Sequence, residues 1–332
     1  MRVLITGATG FLGSHISRAL AARGDVARVL IRPGSPLDLL DGIEVEQAVG
    51  DILEPPSLGP ACDGVHAVIH CAAQMQARGR IEARLASHVD GTRHLLAAAR
   101  RAGVRRFVYA SSVASLGMPP HSPAPTSAGI RPLDETHQWV GPPSSWSYGY
   151  AKLQAEALVR EAASDGLGAV IVNPALVIGP GDRNRVSNGL IWHMVRGRIP
   201  PRIPGGLNVV HFQDVVDGFL GALDGGRSGE RYLLCGENRS LGDVVETTAR
   251  LLDLRPPRWE LPLGPVRTIG SLLYRLTRLL RLRLTPDLLL TAGKFFYYDG
   301  AKARRELGLA DPRPYEDAAV QSAAWYRLRR SR

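Results

Sequence analysis

The chain has 332 residues, of which 45% are hydrophobic and 22% charged, as in a soluble protein with one large α/β domain and a smaller lobe. There is no run of about 18 apolar residues, no secretion signal and no paired cysteine spacing, which excludes a membrane-spanning or disulfide-stapled protein and predicts a cytoplasmic one. Residues 255–332 carry 16 basic and 7 acidic side chains and so hold +9 of the net charge of +10; without a recognition motif, we expect no nucleic-acid partner.

Short apolar strands and amphipathic helices alternate through the first half of the chain. The predicted strands are residues 2–7, 27–32, 43–51, 64–73, 105–112 and 168–179. The predicted helices include residues 11–24, 88–103 and 147–163. Continuous apolar strands are typical of a parallel sheet with helices on both faces, and right-handed crossovers make such a sheet doubly wound. We therefore predict an α/β fold with a doubly wound parallel sheet over residues 1–180.

The alternation ends near residue 180. Helices are predicted at 213–225, 241–253 and 268–284, with one strand at 229–236 and two short helices near the C-terminus. We predict that residues 181–332 form mainly a smaller lobe that binds substrate, and that the strand and helix at about 207–235 can return to the first domain. The Pro-rich residues 117–132 predict a loop that walls or covers the site.

Three glycines, Gly7, Gly10 and Gly13, follow the first predicted strand in "TGATGFLG". In such a turn the first glycine permits the tight bend, the second lets a pyrophosphate approach the main chain, and the third lets helix and sheet pack closely. The following helix N-terminus offers N–H groups and a partial positive charge to an anion. The place of the motif in the alternating pattern predicts a Rossmann domain that binds a dinucleotide.

The residues after the second and third strands bear on which dinucleotide binds. An acidic residue after the second strand would bond the ribose 2′-hydroxyl of NAD, but Arg32 stands there, and a guanidinium suits the 2′-phosphate of NADP. Arg32 therefore favours NADP and leaves NAD open, with a solvated strand-end arginine as the simpler alternative. Asp51 ends the third strand and could either accept from the adenine amino group or cap the next helix.

Tyr148 and Lys152 are four residues apart in a predicted helix and so share one of its faces. Lys occurs only three times among the 41 basic residues, which makes its presence here notable. An ammonium close to a phenol favours the phenolate, and Tyr148 could then exchange a proton with a substrate oxygen. Ser111 and Ser112 end the fifth strand, at the sheet edge where ligands bind, and could orient that oxygen.

The phrases "TGATGFLG", "HCAA", "YASSVASLG", "YGYAK" and "NPALVIGPGD" resemble the extended short-chain dehydrogenases/reductases, or NAD-dependent epimerase/dehydratase superfamily. Within it the chain resembles the dihydroflavonol-4-reductase-like and 3β-hydroxysteroid-dehydrogenase-like branch and the hopanoid-associated sugar epimerases. The resemblance implies that Tyr148 is the general acid/base and that Ser112 donates a hydrogen bond to the substrate oxygen. It implies that Lys152 adjusts the pKa of Tyr148 and binds the ribose. It also implies that Asn173 contacts substrate. The expected cofactor contacts are Gly7, Thr9, Gly10, Phe11, Leu12, Gly13, Arg32, Asp51, Ile52, Ala72, Ala73, Lys152, Asn173 and Pro174.

The chain departs from the family pattern at His88. The family usually has Asn there, in an "NVxGT" phrase, whereas this sequence has "HVDGT". The resemblance leaves open whether His88 relays a proton or is a structural substitute. It also implies that Asp214 is a structural residue at the start of a late helix.

Hydride transfer alone, sugar epimerisation and dehydration can all use the same three side chains. Dehydratases of the family carry an Asp-Glu pair after the Ser/Thr, and "SSVAS" has none, which disfavours 4,6-dehydration. We expect an NAD(P)-dependent oxidoreductase that acts on a ketone or secondary alcohol of an apolar or sugar-like small molecule. A nucleotide-sugar epimerase is the alternative, and a non-catalytic dinucleotide sensor is the second alternative.

Three further features bear on partners. Residues 268–290 have leucines and arginines at helical spacing, which predicts either a lobe helix or a helix that touches an anionic membrane surface. The resemblance allows a homodimer through helices around 88–103 and 148–163. Cys62, His66, His70 and Cys71 lack metal-ligand spacing, so we expect no metal.

Overall fold

The computed structural model describes residues 1–72, 85–119, 129–142, 146–257, 259–262 and 293–329. Three predictions concern residues outside these ranges: the cofactor contact at Ala73, most of the Pro-rich loop at 117–132, and the amphipathic helix at 268–290. Within the described ranges, no helix is both long enough and apolar enough to cross a membrane.

Within the described residues, a main sheet of seven parallel strands organises the fold. The strands are β1 (Arg2–Thr6), β2 (Val26–Ile31), β3 (Glu46–Val49), β4 (Ala67–His70), β5 (Arg106–Ala110), β6 (Gly168–Pro174) and β9 (Arg231–Leu234). Their order is β3-β2-β1-β4-β5-β6-β9, and each neighbouring pair is parallel. The order reverses between β1 and β4, where the strand ends of such sheets form a ligand-binding crevice. The predicted α/β fold with a doubly wound parallel sheet is confirmed.

Helices cover both faces of the main sheet. The helices of the described residues are α1 (Phe11–Ala22), α2 (Pro55–Cys62), α3 (Gly91–Arg101), α4 (Ser147–Ser164), α5 (Gly189–Val195), α6 (Phe212–Gly225), α7 (Leu241–Leu251), α8 (Ala301–Leu307) and α9 (Tyr315–Leu328). All of them except α5, α7 and α9 contribute to the cores on the two faces of this sheet. Leu20 of α1 and Phe219 of α6 belong to the core on one face, and Leu95 of α3 and Val159 of α4 to the core on the other. Burial on both faces explains why the strands are continuously apolar.

A second, smaller sheet lies beside the main one. It contains β7 (Leu176–Ile178), β8 (Gly206–His211), β10 (Glu237–Ser240) and β11 (Phe295–Phe296). The prediction of one strand over 168–179 was wrong, because β6 ends at Pro174 and β7 pairs with β8 instead. The run is apolar on both sides of Ala175, so its sequence does not reveal the change of partner.

The segment after residue 180 contributes to both parts of the molecule. β9 pairs with β6 in the main sheet, and α6 packs against that sheet. A separate core joins α5, α7 and α9 around residues such as Met194, Val245 and Ala319. The division of the chain at residue 180 stays a prediction.

Candidate active site

The turn between β1 and α1 requires glycine at two positions. Gly7 has a φ of +74°, and a Cβ there would lie 2.7 Å from the main-chain nitrogen of Ala72. A Cβ on Gly13 would lie 2.2 Å from the carbonyl oxygen of Gly7, which real atoms do not tolerate. The turn therefore depends on bare main chain, as the spacing of the glycines predicts.

The start of α1 has the properties of an anion site. Gly10 precedes the helix, and among the described residues no side chain caps it. Thr9 lies in the turn, and Phe11 and Leu12 begin the helix, so their N–H groups are among those without a partner inside the helix. The uncapped N-terminus and the close glycine turn together fit the pyrophosphate of a dinucleotide.

Two other predicted cofactor contacts are already engaged within the protein. The backbone N–H of Ala72 donates to the hydroxyl of Thr6 over 3.1 Å. Ile52 is buried and fills the space that a side chain at Gly91 would need. Ile52 and Ala72 lie just after the carboxyl ends of β3 and β4, respectively.

Arg32 and Asp51 lie together at the carboxyl edge of the sheet. A guanidinium nitrogen of Arg32 is 3.9 Å from a carboxylate oxygen of Asp51, and the Arg32 side chain is 65% exposed. Asp51 accepts from the backbone N–H of Leu53 over 2.9 Å, whereas α2 is preceded by Glu54, so Asp51 does not cap that helix. An exposed guanidinium at this edge can reach a ligand phosphate.

Lys152 is a buried cation at the end of β5. Its ammonium donates to the carbonyl oxygen of Ala110 over 2.5 Å, and only 4% of the residue is exposed. Burial lowers the pKa of Lys152 to about 8, while Cys71 and Glu156 act in the opposite direction. The ammonium also lies 4.8 Å from the centre of the Tyr109 ring. A cation is thus held inside the protein one helical turn after Tyr148.

Tyr148 packs edge-on against His88. Their ring centres are 5.6 Å apart with an interplanar angle of 73°, and His88 is buried. The predicted helix at 88–103 is irregular here, because residues 86–90 form a π-helical turn before α3. The hydroxyl of Thr92 donates to the His88 carbonyl oxygen over 2.6 Å and lies 3.1 Å from His70 Nε2.

The two serines after β5 have different surroundings. Ser111 donates its hydroxyl to Glu156 over 2.5 Å and is buried. Ser112 is half-buried, and its hydroxyl accepts from the backbone N–H of Ala114 over 3.2 Å. Ser111 therefore points to the interior, whereas Ser112 begins a short 3₁₀ helix at residues 113–116.

Gly149 brings this serine segment close to α4. A Cβ at Gly149 would lie only 2.1 Å from the carbonyl oxygen of Ala114. The glycine directly after Tyr148 is therefore a packing requirement of the site, which our sequence analysis missed. The sequence did contain a signal for this requirement. Glycine inside a helix is destabilising, so a glycine next to Tyr148 indicates a close contact at that position.

Glu156 is the other residue that the sequence analysis missed. Its carboxylate is fully buried, two helical turns after Tyr148 and one after Lys152. The side chain of Asn173 donates to Glu156 over 2.7 Å and to the Ser112 carbonyl oxygen over 3.1 Å. Asn173 and Pro174 are buried at the end of β6, so the Asn173 amide is directed into this polar cluster. The sequence signal for Glu156 was its place among the apolar positions of α4, where a carboxylate needs buried partners.

Comparison with known proteins agrees with this architecture. The model of the family described as "NAD dependent epimerase/dehydratase family" matches residues 3–235. Sterol demethylase protein B of Methylococcus capsulatus is 36% identical, over 99% of each chain. A putative dihydroflavonol 4-reductase of Synechocystis is 32% identical, over 97% of this chain and 93% of its own. The structure of PA4631, a nucleoside-diphosphate-sugar epimerase of Pseudomonas aeruginosa, superposes with a TM-score of 0.78 at 29% identity, covering 99% of this chain and 98% of its own.

Proposed function

The chain belongs to the NAD-dependent epimerase/dehydratase family of extended short-chain dehydrogenases/reductases, a family of enzymes, and we propose that it is an oxidoreductase with Tyr148 as its general acid/base. Its reaction transfers a hydride between a nicotinamide and a ketone or secondary alcohol. The observation that carries this proposal is the buried Lys152 ammonium, bonded to Ala110 at the end of β5 and one turn after Tyr148.

The proton chemistry follows from these side chains. A free Tyr has a pKa near 10 and is a poor base at neutral pH, but a neighbouring cation favours its phenolate. In the reducing direction Tyr148 gives its proton to the substrate oxygen, and in the oxidising direction its phenolate takes the hydroxyl proton. Ser112 donates a hydrogen bond that holds the same oxygen. The nicotinamide, when bound, supplies or accepts the hydride.

The glycine turn and the N-terminus of α1 would hold the dinucleotide through its pyrophosphate. Lys152 would also bind the nicotinamide ribose. Arg32 supports NADP over NAD, because an exposed guanidinium at the carboxyl edge of the sheet can bond the ribose 2′-phosphate. Asp51, which is within 3.9 Å of Arg32, would orient that guanidinium.

The substrate is a small molecule, and we propose one with an apolar skeleton. Two relatives similar over nearly their whole length bear the names sterol demethylase protein B and dihydroflavonol 4-reductase, which refer to polycyclic or aromatic molecules. The family also includes epimerases, and a nucleotide-sugar epimerase could use the same three side chains. An epimerase would remove a hydride and return it to the opposite face, with no net change in the cofactor.

A screen of cofactor consumption tests the proposal. Purified protein would be mixed with NADPH or NADH and with steroid ketones, aromatic ketones or nucleotide sugars, while cofactor absorbance and product stereochemistry are followed. A reductase consumes cofactor in step with alcohol formation, whereas an epimerase converts a sugar without net consumption. Cofactor binding without either reaction would favour the sensor and contradict our proposal.

A further inference from the structure

Glu156 accepts hydrogen bonds from four side chains and forms a longer ion pair with a fifth. One carboxylate oxygen accepts from Ser111 over 2.5 Å, from Ser115 over 2.6 Å and from Asn173 over 2.7 Å. The other oxygen lies 2.7 Å from Arg160 and 3.6 Å from Arg231. A buried carboxylate is tolerated only when donors and opposite charges satisfy it, and here both are supplied.

The three neutral donors lie around Ser112. Ser111 precedes it, and Ser115 follows it by one turn of the 3₁₀ helix. Asn173 bonds both Glu156 and the Ser112 carbonyl oxygen, so the main chain at Ser112 is linked to the carboxylate from a third direction. Glu156 itself belongs to the helix that carries Tyr148 and Lys152.

We propose that Glu156 is a positioning residue of the active site, whose carboxylate fixes Ser112 in place relative to Tyr148 and Lys152. This inference rests on the proposed oxidoreductase function. The chemistry of the carboxylate is specific, because one oxygen faces three neutral donors and the other faces two guanidinium groups. A glutamine amide of the same size would direct its NH₂ group at one of these sets and leave donors facing donors.

The negative charge of Glu156 also acts on Lys152. The titratable groups around that ammonium include Cys71 and His70 at the end of β4 and Tyr109 of β5. On its own helix they include Glu156 one turn after it and Tyr148 one turn before it. Burial lowers the pKa of Lys152, whereas the carboxylate raises it. Removing the carboxylate charge should therefore lower the pKa of Lys152 further below its present value of about 8.

Glu156→Gln tests the inference, with Glu161→Gln as a matched control. The control makes the same substitution on the same helix, but at an exposed side chain. Because Lys occurs only at 152, 294 and 302, the full chain labelled with ¹³Cε-lysine gives few signals, and Lys152→Arg identifies the one of interest. We expect Glu156→Gln to lower the Lys152 titration midpoint by about one pH unit. We expect kcat to fall about tenfold or more, with cofactor affinity little changed and with Glu161→Gln like the wild type.

Thermal unfolding separates this role from a purely structural one. If Glu156→Gln lowers only the melting temperature, with kcat and the Lys152 midpoint equal to those of Glu161→Gln, the inference is wrong. Should Glu156→Gln not fold, Ser111→Ala removes one donor and keeps the charge; a lower kcat with an unmoved Lys152 midpoint supports the inference, and an unchanged kcat opposes it.

Tyr148→Phe distinguishes failure of the inference from failure of the proposed function. If Tyr148→Phe is inactive while Glu156→Gln is fully active, the inference fails and the function stands. If Tyr148→Phe is active, the proposed function fails, whatever the outcome at Glu156.

Discussion

The ammonium of Lys152 donates to the carbonyl oxygen of Ala110 over 2.5 Å, two residues before Ser112. This bond joins the helix that carries Tyr148 to the strand that ends at the serine pair. It also keeps a cation inside the protein, where this carbonyl, the Tyr109 ring and the Glu156 charge offset part of its lost hydration. The burial of Lys152 costs stability, and we attribute its presence at this position to its proposed role beside Tyr148.

The buried cation predicts a dependence of stability on pH. The pKa of Lys152 is lowered to about 8 in the folded protein from an ordinary value of 10.5, so the unfolded chain binds more protons between these values. The free energy of unfolding should therefore rise with pH in this window, by up to about 1.4 kcal/mol per pH unit for this group. Below about pH 8 both states are protonated, and the destabilisation is fully present.

Urea unfolding of the wild type and Lys152→Met from pH 7 to 10 measures this effect. The difference in unfolding free energy should shift in favour of the wild type by roughly 1 to 3 kcal/mol as the pH rises past about 8. Parallel pH dependences for the two proteins would show that Lys152 titrates as an ordinary surface lysine does.

Gly149→Ala should damage both stability and turnover. The new Cβ would lie 2.1 Å from the Ala114 carbonyl oxygen, so α4 and the Ser112 segment must move apart. We expect a loss of roughly 1 to 3 kcal/mol in unfolding free energy, together with a lower kcat. Gly189→Ala is the control, because a Cβ built there has no atom of the described residues within 4 Å beyond its chain neighbours and its own helix. It should change stability by less than about 0.5 kcal/mol. Equal effects of the two substitutions would contradict the close packing at Gly149.

Arg32→Ala should separate the two cofactors. A charge-assisted hydrogen bond to the 2′-phosphate contributes about 1.5 to 3 kcal/mol, so NADPH should bind roughly 10- to 100-fold more weakly to the variant. NADH lacks this phosphate and serves as the internal control. Titration of both cofactors by fluorescence gives the two dissociation constants. An equal loss of affinity for both cofactors, or no loss for either, would mean that Arg32 does not bind the 2′-phosphate.

The overall fold could be predicted from the sequence because burial on both faces makes the parallel strands continuously apolar. The placement of Tyr148 and Lys152 one turn apart in a single helix was also predictable, since helix geometry alone places residues four apart on one face. The departure of β7 from the main sheet was not predictable, because Leu176–Ile178 is as apolar as β6. Periodicity identifies buried strands but not their partners.

The missed residues act through contacts between distant segments. Gly149 meets Ala114, and Glu156 meets Ser111 and Asn173, across separations of 17 to 45 residues for the Glu156 bonds. Local patterns carry no information on such contacts. The single glycine of α4 and a glutamate among its buried apolar positions were anomalies in a helical pattern, and the structure gives each a physical reason.

The most direct test of the account is single-turnover and steady-state kinetics of Tyr148→Phe on the substrate that the screen identifies. Phenylalanine keeps the ring that packs on His88 and removes only the hydroxyl. We predict that the dinucleotide binds with a dissociation constant within about twofold of the wild type, while kcat falls by about 10² to 10⁴. Unchanged turnover with an intact fold would contradict the assignment of Tyr148 as the group that moves the proton.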